Sequence, residues 1–371
     1  MGDENYYPGL EGVIAGETSI STVANGLSYR GYPIDQLVER ATFEQVSYLL
    51  LYGQRPNAEQ DREFRQRLVE QRTIDDGLDR VLELIPRSAN TMDFMRSAAS
   101  LLSHWSSSAS TEEVADGAEK QLADATRLLA SLPVVLANRQ RRFNGQDPVA
   151  PREDLGFAAN FLWMLDKVEP SSEAIKAMDV SLILYAEHEF NASTFTARVV
   201  TSTRSDLYSA ITAAIGALKG ALHGGANERV MEVLAEVGSP ANAEPWIRKS
   251  LADKNRIMGF GHRVYKTGDP RAKLLKPLCA RLAEQTGNLQ LEAIADTIES
   301  IVWEEKKLPP NLDWPSARLY HYLNLPVHLY TPLFVLSRVV GWSAHVIEQA
   351  ANNRLIRPRS KYVGTALRDW T

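Results

Sequence analysis

The chain has 371 residues, of which 44% are hydrophobic and 23% charged, and its formal net charge is −5. This composition is typical of a soluble globular protein, and the length is sufficient for a large core and for two domains. Because no basic face dominates and no motif of stacking aromatic residues occurs, we expect no binding to nucleic acid.

The sequence also indicates a cellular compartment. Its single cysteine, Cys279, excludes an internal disulfide framework and is typical of a reducing environment. The first residues lack the basic start and the apolar run of a signal peptide. The most apolar stretch, residues 323–340, is interrupted by two prolines, a histidine and an arginine, which excludes a membrane span. We therefore expect a cytoplasmic protein.

The apolar residues recur with a helical period along most of the chain. Residues 10–33 differ, because their β-branched residues and turn glycines predict a small hairpin. Further along the chain, Thr42 and Gln45 have the spacing of a capping box at a helix start. Gly53 is typical of the end of that helix.

Three later segments also have helical patterns. Ser110 and Glu113 repeat the capping-box spacing at the start of a long helix. Residues 206–225 are rich in alanine and glycine, which predicts a closely packed central helix that ends at Gly224-Gly225. A third, buried helix is predicted to begin at Pro332.

These elements predict an all-α fold with a minor β element. Gly224-Gly225 is the expected hinge between two domains, and the chain is expected to cross back near Leu325-Pro326. Residues 1–223 and 327–371 would then form a large helical domain, and residues 224–326 an inserted small helical domain.

Residues 259–273, GFGHRVYKTGDPRAK, gather two lysines and two arginines around His262 in a chain that is acidic overall. Asp269 followed by Pro270 predicts a helix start. Arg271 then lies in the first turn, where the helix dipole disfavours a cation. A solvated surface stretch would explain the charges, but the position of Arg271 indicates instead that an anionic group is held here.

Three of the seven histidines, His188, His223 and His262, lie in turn-like contexts marked by glycine or asparagine. The others lie in aromatic or apolar surroundings and are interpreted as structural: His104, His321, His328 and His345. A zinc-protease motif beginning at His188 is excluded, because Ala192 stands where a second histidine is needed. No nucleophile elbow or phosphate-binding glycine loop occurs either.

One carboxylate and two further arginines have informative surroundings. Asp313 follows two prolines and an asparagine, so it is either the N-cap of a helix after Pro315 or a general base on a stiffened loop. Arg338 lies among apolar residues and requires a partner if it is buried, which an anionic ligand would provide. Arg357 precedes a proline, and a surface role is the common explanation there. Together with Arg271, these arginines offer guanidinium groups that match carboxylates.

Taken together, four segments resemble the citrate synthase family. They occur in the family's order and are GALHGGANE (220–228), GFGHRVYKTGDPRA (259–272), PNLDWPSARLYHYLNLP (310–326) and TPLFVLSRVVGWSAHVIEQ (331–349). The resemblance extends from GLEGVIAGETSIS at residues 9–21 to NNRLIRPRSKYVG at residues 352–364, which is nearly the whole chain.

The resemblance implies condensation of acetyl-CoA with oxaloacetate, giving citrate and CoA without a metal or a bound cofactor. By position, Asp313 matches the base that removes a proton from the acetyl methyl group. His223 matches the residue that stabilises the enol(ate), as developing negative charge requires. His262 matches the residue that polarises the oxaloacetate carbonyl.

The resemblance also implies the binding residues and a homodimer. The expected oxaloacetate ligands are His188, His262, Arg271 and Arg338, together with Arg357, which each chain would donate to the site of its partner. The expected CoA-binding residues are Lys266, Lys306, Gly259 and Gly261.

Two alternatives stay open. A 2-methylcitrate synthase shares the catalytic residues and uses propionyl-CoA, and burial of one extra methylene is worth only about 0.8 kcal/mol. Trp314, directly after the predicted base, is a residue that could reshape the acyl pocket. The other alternative is a non-catalytic protein that binds acyl-CoA or a dicarboxylate, which the presence of Asp313, His223 and His262 disfavours.

Overall fold

The computed structural model describes residues 6–24, 26–105, 117–265 and 267–369. The predicted all-α class is confirmed, since these residues form sixteen α-helices and one small sheet. The helices are α1 (Ile34–Arg40), α2 (Phe43–Tyr52), α3 (Ala58–Glu70), α4 (Asp76–Glu83), α5 (Thr91–Leu102), α6 (Ala118–Phe143), α7 (Phe157–Asp166), α8 (Ser172–Tyr185), α9 (Ala192–Ser202), α10 (Leu207–Leu218), α11 (Ala226–Val237), α12 (Pro240–Ala252), α13 (Pro270–Thr286), α14 (Leu289–Lys306), α15 (Asp313–Tyr322) and α16 (Tyr330–Ala351). Among these helices, none has the length and apolar character needed to cross a membrane.

The sheet has one strand more than the predicted hairpin. Its antiparallel strands are β1 (Ser21–Thr22), β2 (Ser28–Tyr29) and β3 (Tyr32–Pro33), and Tyr29 pairs with both of its neighbours. Arg30 and Gly31 connect β2 to β3 with φ angles of 49° and 85°, the geometry of a two-residue hairpin turn. Strands of two residues are too short for an alternating pattern to reveal, so the third strand was missed.

The first predicted capping box is confirmed. Thr42 accepts a hydrogen bond from the backbone of Gln45, whose side chain accepts one from the backbone of Thr42, and Gly53 ends α2 in the left-handed region. The second box, Ser110 with Glu113, lies outside the described residues. In the part that is described, α6 begins after Gly117.

The end of the central helix was predicted wrongly. α10 ends at Leu218, and Gly225 is instead the N-cap of α11. Between them the chain folds back so tightly that a Cβ on Gly224 would lie 2.2 Å from the carbonyl oxygen of Leu218. This turn frees His223 from helical geometry, and the half-buried ring contacts Ser193 of α9 and Phe334 of α16.

α16 begins at Tyr330, two residues before the predicted Pro332, which fits within the first turn because no helical hydrogen bond is lost there. It is buried along most of its length and packs against α2, α6, α8, α9 and α10. Helices α11 to α15 pack mainly on one another. Within this second group, the Cys279 thiol of α13 is fully buried and donates to the Pro315 carbonyl at 3.1 Å, and burial raises its pKa to about 12.

Candidate active site

Asp313 is the first residue of α15, and its side chain does not cap that helix, because Leu312 occupies the N-cap. Its Oδ1 instead accepts a hydrogen bond of 2.8 Å from the Tyr185 hydroxyl, and its backbone N–H donates to Asn311 Oδ1 at 3.0 Å. Burial raises the pKa of Asp313, and the Tyr185 hydrogen bond and the charge of Arg271 oppose that rise. Of the two sequence interpretations, the geometry therefore excludes the cap.

Asn311 joins the loop before α15 to the glycine-flanked loop of His262. Its backbone N–H donates to the Gly259 carbonyl at 2.9 Å, and its side chain donates to the Gly261 carbonyl at 3.0 Å. At Gly259, where φ is 82°, a Cβ would lie 2.9 Å from the Trp314 ring. The two loops consequently lie side by side, and glycine is required at position 259 by packing.

The backbone fixes the proton of His262. Its Nδ1 accepts N–H groups from Val264 at 3.0 Å and from Tyr265 at 3.3 Å. In the neutral ring the proton is then on Nε2. Arg271 Nη2 lies 3.5 Å from that atom, so two donors point to the same region of the site.

His188 lies beside them, although it is distant in sequence. Its ring centroid is 5.2 Å from that of His262, and its Nε2 is 3.1 Å from the Tyr265 hydroxyl. Burial holds the pKa of His188 well below its usual value, and the charges of Arg271 and Arg338 act in the same direction. The imidazole is neutral at physiological pH.

Arg271 has a partner in its own chain, which the sequence argument did not foresee. Its Nε and Nη2 donate to the two oxygens of Asp269 at 3.0 and 2.8 Å. Asp269 also caps α13, as predicted, and accepts the Leu312 N–H at 3.0 Å. The carboxylate at the N-cap thus compensates for a cation in the first turn. Arg271 Nη1 has no hydrogen-bond partner among the described residues.

Within the described ranges, Arg338 is buried without a carboxylate partner. Only 1% of it is exposed, its Nε donates to the Tyr185 carbonyl at 2.6 Å, and its guanidinium lies over the Phe334 ring at 4.6 Å. No acidic residue in the described ranges forms an ion pair with it. Burial lowers the pKa of Arg338 to about 10. Because a buried charge is normally paired, a buried guanidinium without a carboxylate partner favours the binding of an anion.

The proton of His223 is also fixed by its surroundings. Its Nε2 accepts the backbone N–H of Ser193 at 3.2 Å and lies 2.7 Å from the Ser193 hydroxyl, which accepts from the indole of Trp342 at 3.0 Å. The neutral ring therefore has its proton on Nδ1. Burial and the charge of Arg338 lower the pKa of His223 to about 4, so the ring is a neutral donor.

The ring of Phe334 lies between His223 and the Tyr185–Asp313 pair. Its ring centroid lies 6.5 Å from that of His223 and 4.6 Å from that of Tyr185, whose hydroxyl binds Asp313. The structure thus gathers most of the predicted residues in one buried to half-buried cluster: His188, His223, His262, Arg271, Arg338 and Asp313.

The remaining predicted residues lie outside this cluster. Arg357 is exposed in the extended tail after α16, and no hydrogen bond or ion pair of the described residues joins it to the cluster. Lys306 is exposed in the last turn of α14. Lys266 lies outside the described residues. No three histidine, cysteine or acidic side chains in those ranges are placed to hold a metal ion.

A family model described as "Citrate synthase, C-terminal domain" matches residues 9–359. The chain belongs to the citrate synthase family. Members of this family are acyltransferases, so the predicted enzyme class is confirmed.

Curated relatives have two names within the family. The chain is 48% identical to citrate synthase 2 of Bacillus subtilis, over 96% of this chain and 95% of the relative. It is 45% identical to the 2-methylcitrate synthase of Shewanella oneidensis, over 97% of this chain and 95% of the relative. Family membership alone therefore does not select the acyl group.

Solved structures of the family have the same fold. The citrate synthase of Thermotoga maritima superposes with a TM-score of 0.86 at 38% identity, covering 98% of this chain and 97% of that one. The enzyme of Thermoplasma acidophilum, in a ternary complex with carboxymethyl coenzyme A and oxaloacetate, gives a TM-score of 0.91 at 33% identity, covering 99% and 98%.

Several residues of the site were missed in the sequence. Tyr185, Ser193, Tyr265 and Asn311 all contact a predicted residue through hydrogen bonds. Three of them lie within three residues of a predicted histidine or aspartate along the chain, which is the only signal the sequence offered. Ser193 had none, because its contact with His223 depends on the fold.

Proposed function

We propose that this enzyme condenses acetyl-CoA with oxaloacetate and water, giving citrate and CoA. The observation that carries the proposal is the convergence of a half-buried carboxylate, Asp313, with two histidines whose second ring nitrogen is left free to donate, His223 and His262. A protein that only binds its ligands has no need of this combination.

Oxaloacetate is a dianion, and the cluster offers two buried guanidinium groups for its carboxylates. Arg338 lacks a carboxylate partner among the described residues, and Arg271 has Nη1 available. Charge-assisted hydrogen bonds of this kind contribute about 1.5–3 kcal/mol each. Neutral His188 adds a ligand without adding charge.

Asp313 is the proposed base. Its burial and raised pKa make the carboxylate a stronger base than one in water. It removes a proton from the methyl carbon of acetyl-CoA, and the electron pair moves into the thioester carbonyl. His223 donates from Nδ1 to that oxygen, which stabilises the enol(ate) as charge develops.

The enol(ate) carbon then attacks the ketone carbon of oxaloacetate. The ketone oxygen becomes an alkoxide, and His262 donates its Nε2 proton to it. Water cleaves the thioester of the resulting citryl-CoA, which releases citrate and CoA. No step needs a metal or a bound cofactor.

The dimer, the domains and the CoA contacts belong to the same proposal. An exposed Arg357 in an extended tail fits an arginine that a second chain receives. Movement of residues 224–326 against the rest of the chain would exclude water until citryl-CoA has formed. Lys266 and Lys306 would bind the CoA phosphates beside Gly259 and Gly261. The enzyme would act in the cytoplasm.

A second candidate substrate is propionyl-CoA, since relatives named 2-methylcitrate synthase are nearly as similar as those named citrate synthase. Trp314 does not decide between them. Its side chain is fully buried, its indole donates to Glu299 at 2.9 Å, and its ring lies 4.8 Å from that of Phe260. Trp314 therefore packs against the glycine-flanked loop rather than contacting the Asp313 carboxylate.

Steady-state kinetics with oxaloacetate and either acyl-CoA test the proposal. We expect the higher kcat/KM with acetyl-CoA, and a higher value with propionyl-CoA would favour the second candidate. Asp313→Asn should lower kcat by about 10²–10⁴-fold while calorimetry shows unchanged oxaloacetate binding. A variant that keeps most of its activity would overturn the assignment of the base.

A further inference from the structure

One face of α16 rests directly on the segment that ends at His188. Arg338 Nε donates to the Tyr185 carbonyl at 2.6 Å. One turn later, Gly341 lies so close that a Cβ there would be 2.2 Å from the Ala186 carbonyl oxygen. The helix that carries Arg338 therefore touches the backbone that leads to His188.

A third contact on the same helix face is made by two buried side chains. Glu187 and His345 are both 0% exposed, and His345 Nε2 donates to Glu187 Oε1 at 2.8 Å. The same oxygen accepts the Ser21 hydroxyl at 3.0 Å. On its other side, His345 Nδ1 accepts from Arg198 Nε at 3.0 Å, and Arg198 pairs with Glu348. A chain of hydrogen bonds, here called the relay, thus joins Arg198 of α9, His345 of α16 and Glu187.

The charge of Glu187 is retained in this environment. Burial alone would raise the pKa of Glu187, but His345 and Arg338 hold it below its usual value. Glu187 is in turn the group that most strongly favours the charged form of Arg338. Its Oε2 has no hydrogen-bond partner among the described residues and faces the backbone of Gly341. The Glu187 carboxylate therefore stabilises the charged form of Arg338 electrostatically, and it forms no hydrogen bond with the guanidinium group.

We propose that Glu187 is a positioning residue for oxaloacetate. Linked through His345 to Arg198, it fixes the register of α16 against residues 185–188, and with it the distance between Arg338 and His188. The inference rests on the proposed function, in which both of these side chains bind oxaloacetate. The Glu187 side chain itself contacts Ser21, His345 and the backbone of Gly341, and none of these is a proposed catalytic or oxaloacetate-binding group.

Glu187→Gln tests the inference, because glutamine keeps the shape and one acceptor oxygen but removes the charge. We expect the KM for oxaloacetate and its calorimetric Kd to rise about tenfold. This corresponds to losing part of the charge-assisted hydrogen bond between Arg338 and oxaloacetate once α16 is held less firmly. At saturating oxaloacetate, kcat should change by less than about threefold, as for a loss of binding alone. Glu44→Gln is the matched control, since Glu44 is also buried and ion-paired, with Arg65, but lies outside the relay.

His345→Gln is the second variant, which keeps the charge of Glu187 and decides the matter if Glu187→Gln does not fold. It should raise the same KM. The double variant should bind oxaloacetate no worse than the more impaired single variant, because both changes act on the one contact between Glu187 and His345. The inference would be overturned, with the proposed function still standing, if the oxaloacetate KM is unchanged in the folded variants. An equal rise of this KM in Glu44→Gln would have the same meaning. A wild-type chain that neither binds oxaloacetate nor condenses it would instead overturn the proposed function.

Discussion

The hydroxyl of Tyr185, at the end of α8, donates a hydrogen bond of 2.8 Å to Asp313 Oδ1, at the start of α15. The Tyr185 hydroxyl oxygen also lies 2.7 Å from the Ser316 hydroxyl. Burial raises the pKa of Asp313, and the hydrogen bond from Tyr185 stabilises the carboxylate and opposes that rise. Tyr185 thereby sets the lower pH limit at which Asp313 is ionised and can accept a proton.

Tyr185→Phe should shift the acidic limb of the pH dependence of kcat/KM to higher pH. Without the donor the carboxylate is less stable, its pKa rises further, and the base is protonated over a wider range. The expected shift is about one pH unit, since a net hydrogen bond is worth about 1 kcal/mol. Tyr322→Phe is the control, because its hydroxyl binds Glu292 and not Asp313. A limb that does not move would contradict this role.

Asp269→Asn should destabilise the chain and weaken oxaloacetate binding together. Asparagine can still cap α13, so the change isolates the ion pair with buried Arg271. Leaving a buried cation unpaired costs about 3–5 kcal/mol of unfolding free energy. Asp206→Asn is the control, since Asp206 caps α10 from an exposed position. Similar losses in the two variants, measured by denaturant unfolding, would show that only the cap matters.

Asp179→Asn should stabilise the chain at alkaline pH and not at acid pH. Asp179 of α8 accepts the Phe43 N–H at 2.9 Å, and burial, with the charge of Glu44, raises its pKa to about 7. Because the folded state holds this proton more tightly than the unfolded state, stability falls as the pH rises from about 4 to 7. Removing the charge should therefore recover up to about 4 kcal/mol at pH 8.

Thermal unfolding at two pH values provides the measurement. The Tm of Asp179→Asn should exceed that of the wild type at pH 8, and the difference should shrink with falling pH and vanish near pH 4. A gain of the same size at both pH values would mean that the carboxylate is not the source of the pH dependence.

Mixed dimers test the exchange of Arg357. Asp313→Asn and Arg357→Ala homodimers should each be nearly inactive. After co-expression, one site of a mixed dimer combines an intact Asp313 with an intact Arg357, and its other site carries both changes. Random pairing should restore about a quarter of the sites. No recovered activity in confirmed mixed dimers would mean that Arg357 acts within its own chain, and an active Arg357→Ala homodimer would mean that it has no role.

The sequence predicted the features that depend on neighbouring residues. The capping box of Thr42 and the N-cap of Asp269 were both found, because their partners lie two or three residues away. The fold-back at Gly224 was missed, since a pair of glycines indicates a turn but not how tightly the chain packs on Leu218.

Contacts between residues that are far apart in the chain could not be predicted from local sequence patterns. Tyr185 and Asp313 are separated by 128 positions, and Glu187 and His345 by 158. His345 was interpreted as a structural histidine, and its buried hydrogen bonds agree with that. Only the packing of α16 on residues 185–188 reveals how a structural group can act on the site.

The burial of Cys279 gives the enzyme an experimental property. It is the only cysteine, it is fully inaccessible, and burial raises its pKa to about 12, so maleimide dyes should leave the folded chain unlabelled at neutral pH. Cysteines introduced at exposed positions such as Arg62 and Asp253 would then carry the only fluorophores. Energy transfer between them would show whether residues 224–326 move, as proposed, when oxaloacetate is added, in a protein whose native thiol never has to be removed.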